Sequence, residues 1–283
     1  MVFNQRVATL KSTLKRPLVG LALGSGAARG LSHIGVLQVL KSEGIPIDAI
    51  TGTSIGAVVG GLYLAGWSPE FLDKFAKAIR KQHIVSALDF ALPPKKGLID
   101  GYHLEAMLNR MLKIKRYEDL PKPFATISSD IVTGEKVVHD KGDLVKGIRA
   151  SLSVPGVLVP QRYETRLLVD GGVVDPVPVD TLSESGIDII IAINVMRRPS
   201  PGKEPEGIID VLLNVTDIMG FKIFEEKPLE KAIVIEPLKE YHFGGMEFDK
   251  AEELIELGKE ATKRALPLIK ERLSAEGVIL CSQ

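Results

Sequence analysis

Apolar positions along the chain follow two rhythms. Short unbroken runs at residues 18–23, 45–51, 124–131, 166–169, 188–195 and 232–235 read as strands, most of them too apolar for a sheet with one wet face. Between them, stretches with apolar residues three and four apart read as helices. These cover residues 1–16, 31–43, 57–65, 69–83, 102–112, 143–151, 178–185, 208–224 and 249–273. Thr133, Gly134 and Glu135 predict a hairpin turn into a further strand over 136–139. Strands alternating with helices predict an α/β fold with a mainly parallel sheet, in which 188–195 is a central strand. No Ser/Gly linker or repeat divides the chain, so one domain is expected, with a basic amphipathic segment at 1–17, a core over 18–195 and a C-terminal part over 196–283.

Two strand-to-helix junctions stand out. The strand ending near Thr51 leads into Gly52, Thr53, Ser54, Ile55 and Gly56, and an apolar helix follows. A serine between two glycines at such a junction is the pattern of a nucleophile elbow, in which a sharp turn holds the hydroxyl near the positive end of a helix. The competing reading is a glycine-rich turn whose serine only caps the helix. Strand 18–23 runs into Gly24, Ser25, Gly26, Ala27, Ala28, Arg29 and Gly30. Backbone N–H groups converge where such a loop opens a helix, which suits an anion. A dinucleotide fingerprint fits poorly, because Arg29 stands where the third glycine belongs and no acidic residue ends the second strand. An oxyanion hole beside Ser54 fits better. Asp170, followed by Gly171 and Gly172, closes the strand at 166–169; such a turn is common, and its interest is as a partner for Ser54. His33 is read as a packed polar residue.

Composition narrows the classes. The 283 residues are 45% hydrophobic and 25% charged, an ordinary globular balance. Thirty-six basic residues balance 36 acidic ones, so no nucleic-acid partner is expected. A single cysteine, Cys281, excludes an internal disulfide framework and fits a cytoplasmic setting. The chain start imitates a secretory signal, and residues 49–69 lack charge, but glycines and hydroxyls inside both favour buried strand–turn–helix units over a cleaved leader or a membrane span. The helix at 1–16 carries apolar Phe3, Val7, Leu10 and Leu14 with basic residues on its other faces. Packing on its own domain is the default, and peripheral contact with anionic lipid is the alternative. Residues 84–98 read as a packed connector or an apolar flap. Residues 208–224 read as core, an acyl pocket or a homodimer face. The histidines are scattered and no acidic loop has calcium spacing, so neither metal nor cofactor is expected.

Together, the loop 24–30, the elbow 52–56 and Asp170-Gly171-Gly172, with Ser151 to Pro155 between, resemble the patatin-like phospholipase family, above all its bacterial members. The resemblance covers roughly residues 18–195. It implies a three-layer α/β fold with helices on both sheet faces, and a Ser–Asp dyad without histidine. Ser54 would be the nucleophile and Asp170 the base. Gly24, Ser25, Gly26, Ala27 and Arg29 would mark the oxyanion loop, with Arg29 fixing the loop or stabilising charge. The implied reaction is hydrolysis of an acyl ester in a lipid or phospholipid, as in lipid degradation, through an acyl-enzyme. Asp175 departs from the pattern, where Asn is expected. Three rivals remain: a Ser-His-Asp esterase using His242, a non-catalytic lipid- or partner-binding module, and an acyltransferase.

Overall fold

The structure is a computed structural model that describes residues 1–78, 89, 96–196, 198 and 204–278. The connector expected at 84–98 falls largely outside these residues, as do Cys281 and much of the loop at 199–207.

Strands β1 (Val19–Leu23), β2 (Ala49–Thr53), β4 (Phe124–Asp130), β9 (Ile189–Ile193) and β10 (Ala232–Ile235) form the parallel part of one sheet. Its order is β10-β9-β1-β2-β4-β8-β7. The far side is antiparallel. There β4 pairs with β5 (Lys136–His139) and with β8 (Arg166–Asp170), and β8 pairs with β7 (Gln161–Tyr163). A separate pair joins β3 (Gly97–Ile99) to β6 (Gly156–Leu158). Strand β9 is interior and wholly buried, one place from the β10 edge rather than at the sheet centre.

Alternation along β1 shows how the layers form. Val19, Leu21 and Leu23 join the larger core with helices α2 (Ser32–Ser42), α3 (Ile55–Leu64), α4 (Pro69–Ala78), α5 (Tyr102–Met111), α6 (Leu144–Ser151) and α9 (Ala251–Ala275). Leu18 and Ala22 face the other layer, built from α1 (Val2–Leu14), α7 (Val179–Glu184) and α8 (Ile208–Glu225). On that face Ala22, Ala49, Ala125 and Ala192 keep the sheet surface low, so the second layer sits close to the backbone. The result is the three-layer α/β architecture.

Helix α1 packs on its own domain. Phe3 and Val7 are buried, Arg6 donates to the carbonyls of Tyr117 and Leu120, and Lys11 and Arg16 pair with Asp188 and Asp48. Much of its basic character is therefore engaged within the molecule, which argues against the lipid-facing alternative. No helix among the described residues is long and apolar enough to cross a membrane.

Candidate active site

The register around β4 brings the key residues together. Strand β2 pairs with β4 up to Thr53 opposite Ile127, and β8 pairs with β4 from Asp170 opposite Ser128. Strand β5 covers Thr126 to Ser129 on the other side of β4. Strands β2 and β8 therefore lie on the same side of β4 and run head-on into each other. Ser54 follows the end of one strand, and Asp170 ends the other.

Across that junction the Ser54 hydroxyl donates to Asp170 Oδ2 at 2.5 Å. The other carboxylate oxygen, Oδ1, accepts the Gly172 N–H at 2.7 Å. Ser54 is 3% exposed and Asp170 1%, so both are buried. Burial pushes the Asp170 carboxyl up to about 6, against the opposing pull of the hydrogen bonds from Ser54 and Gly172. An aspartate raised that far titrates near neutrality and makes a better general base than an exposed one.

The elbow is strained. Ser54 has φ 57° and ψ −123°, and Ala27 in the neighbouring loop has φ 51°. Non-glycine residues in such conformations persist where surrounding structure holds them, and they gather at functional sites. The tightness has a cause: a Cβ at Gly56 would lie 2.1 Å from the Leu23 carbonyl oxygen, so only glycine lets the elbow touch the end of β1. At Gly172 a Cβ would sit 3.0 Å from Ser25 Oγ and 3.1 Å from Asp170 Oδ1, wedged into the site.

The loop 24–30 narrows the expected set of donors. The Gly24 N–H donates to the Ile193 carbonyl, Ser25 N–H to Pro176, Ala28 N–H to Gly245 and Arg29 N–H to Gly26. The amides of Gly26 and Ala27 have no bonded acceptor among the described residues, so of the loop residues expected to mark an oxyanion hole these two keep backbone N–H groups unengaged there. Ser25 enters through its side chain, beside Gly172, and Gly24 through its position. The Arg29 guanidinium bonds neither Ser54 nor Asp170 among the described residues. It is buried and pairs with Asp217 of α8 at 2.6 Å, while its other terminal nitrogen donates to the Phe243 carbonyl. Its place is to fix the loop.

The stretch holding His242 contributes carbonyls to that fixing, from Phe243 and Gly245. His242 itself is exposed. Both carboxylate oxygens of Asp170 are engaged by Ser54 and Gly172, and no imidazole intervenes. His33 is buried; its Nε2–H donates to the Gly24 carbonyl at 2.9 Å, and burial lowers its pKa to about 4, so it is neutral and structural. Asp175 accepts the Thr53 hydroxyl with its carbonyl, and its carboxylate lies between Lys136 and Lys227. Sequence reasoning missed Asp217, because nothing in its local pattern marks it; it marked the stretch Ser151 to Pro155, but not the bond that Ser151 at the end of α6 makes to Ser54. A groove of about 520 Å³ between β10 and α9, lined by Ile233, Tyr241 and Leu268 among others, contains none of these residues.

Known proteins resemble this chain in sequence and in fold. The profile of the family described as patatin-like phospholipase matches residues 21–183. An uncharacterized NTE family protein of Mycobacterium bovis is 37% identical over 191 residues, 67% of this chain and 52% of that protein. Lysophospholipase NTE1 of Candida albicans is 34% identical over 196 residues, 69% of this chain and 14% of that protein. The chain thus spans about half, or far less, of the length of these relatives. Among solved structures, VipD from Legionella pneumophila superposes with a TM-score of 0.50 at 11% identity, over 89% of this chain and 67% of that one, a likeness of fold alone.

Proposed function

Because the chain belongs to the patatin-like phospholipase family, a family of hydrolase and esterase enzymes, we propose that it is a serine lipid acyl hydrolase working through Ser54 and Asp170. The observation that carries this reading is the direct 2.5 Å hydrogen bond from a strained serine to a buried carboxylate. Asp170 takes the proton as Ser54 Oγ attacks the ester carbonyl carbon. The carbonyl oxygen gains negative charge and is met by the Gly26 and Ala27 amides. Collapse of that intermediate breaks the ester C–O bond, and the proton on Asp170 passes to the leaving alkoxide. Water then repeats the sequence on the acyl-serine, releases a carboxylic acid and restores the serine. Two amide donors aimed at the oxyanion carry a large share of the barrier reduction, about 3 kcal/mol each.

The lipid nature of the substrate is supported by α8. Its inner face reaches the site: Asp217 holds Arg29, and a Cβ on Gly220 would lie 3.3 Å from the Gly172 carbonyl. Its outer face exposes Ile208, Val211, Val215, Ile218 and Met219. An apolar stripe on the back of the element that borders the site fits peripheral contact with a lipid surface. Turnover of a lysophospholipid and a phospholipid tests the function: free fatty acid is expected from the wild type, and release falls at least a thousandfold in Ser54→Ala with melting unchanged. Fatty-acid release that survives Ser54→Ala removes the reading.

A further inference from the structure

The end of α6 reaches both halves of the Ser54–Asp170 pair, through residues spaced two apart. The Ser151 hydroxyl accepts the backbone N–H of Ser54 at 2.8 Å. The Ser153 carbonyl accepts the backbone N–H of Asp170 at 2.9 Å. Arg149, 2% exposed, donates to Ser153 Oγ at 2.6 Å, and that hydroxyl donates back to the Arg149 carbonyl. The same guanidinium donates to the carbonyls of Asp100 and Val159, one just beyond β3 and the other just beyond β6. Arg149 is therefore buried with its hydrogen bonds on neutral acceptors; Glu105 and Asp89 attract it without bonding to it among the described residues. An arrangement that costs desolvation without the return of an ion pair calls for another use.

We propose that Ser151, Ser153 and Arg149 are positioning residues: one helix end sets the separation of nucleophile and base by gripping both main chains. The inference rests on the dyad reading above. Ser54 stands just before the first turn of α3, where backbone N–H groups have no intrahelical acceptor, so its N–H needs a partner from elsewhere, and the Ser151 hydroxyl supplies one at the elbow. Arg149 keeps Ser153 in place by filling three acceptors with one planar fork, a task that lysine cannot perform.

The test separates positioning from mere packing. Removing the Ser151 hydroxyl frees the elbow, and the Ser54 side chain loses its alignment on Asp170. The hydrogen bond from Ser54 helps to hold the Asp170 pKa down, with the Gly172 amide, against burial, which raises it. Ser151→Ala is therefore expected to lower kcat about 10- to 100-fold with KM within twofold, and to move the acid limb of kcat/KM to higher pH. Ser151→Thr, which keeps the hydroxyl, recovers kcat to within about threefold. Arg149→Lys lowers kcat in the same direction. A Ser151→Ala enzyme with wild-type kcat and an unmoved pH profile, whatever its melting temperature, overturns the proposal while leaving the dyad standing. Loss of the dyad itself is read separately, from wild-type activity that does not need Ser54.

Discussion

The two halves of the sheet make unequal kinds of contribution to the site. On the parallel half, β1 and β2 each end in a glycine-rich turn, and those turns deliver the unpaired amides and the serine within 31 residues of chain, from Gly26 to Gly56. On the antiparallel half, Asp170 arrives 116 residues after Ser54, carried by a strand that approaches from the opposite direction. The first half is written in local motifs. The second depends on register: a slip of one residue between β8 and β4 would turn Asp170 to the other face of the sheet. The proposed nucleophile is marked by its neighbours in sequence, whereas the carboxylate that meets it is positioned by the whole fold.

Damage to the parallel half should appear as lost folding. In Gly56→Ala the new methyl meets the Leu23 carbonyl at 2.1 Å, and stability falls by about 3 kcal/mol in denaturant titrations. Gly134→Ala is the contrast: φ is 76° there but the space is open, and the loss is about 1 kcal/mol.

Damage to the antiparallel half should appear as pH dependence. Asp170 has a folded pKa of about 6 against an ordinary 3.8, so the folded protein binds its proton more tightly than the unfolded chain does. Its contribution favours folding at low pH and is lost as pH rises from about 4 to 6, a swing of about 3 kcal/mol. His33, lowered to about 4, acts with the opposite sign over part of the same range. Comparing wild type with Asp170→Asn cancels that histidine. The variant should gain stability relative to wild type as pH rises through the window, measured by urea unfolding at pH 4 and pH 7. A difference independent of pH would show that Asp170 is not the buried carboxylate described.

Helix α8 ties the halves to the surface. Val215→Glu with Ile218→Glu, both on its exposed face, should weaken co-sedimentation with phosphatidylcholine vesicles about tenfold while hydrolysis of a short soluble ester stays within twofold. A shift in oligomeric state instead, with vesicle binding unaltered, would assign that face to a second copy. His242→Ala should change kcat by less than twofold, since the exposed imidazole has no place between Ser54 and Asp170.

Much of this was legible beforehand, for physical reasons. The five parallel strands carry short apolar runs, and the elbow and the loop at 24–30 have glycines at fixed spacings, so both leave a local trace. Strands β3, β6 and β7 are three residues each, too short for a period to register. The head-on meeting of β2 and β8 leaves no trace at all, because pairing direction is not encoded in either strand alone. Arg29 was legible as a residue that fixes the loop or stabilises charge, but its partner Asp217 lies 188 residues away in α8. Which loop amides remain free likewise depends on carbonyls from Ile193, Pro176 and Gly245, supplied by distant segments.

The account turns on Ser54 and Asp170 acting on each other. Labelling with a fluorophosphonate, followed by peptide mass spectrometry, reads that out. A single adduct on Ser54 is predicted, absent in Ser54→Ala and formed at least a hundredfold more slowly in Asp170→Asn. An adduct on another residue, or undiminished labelling of Asp170→Asn, would contradict it.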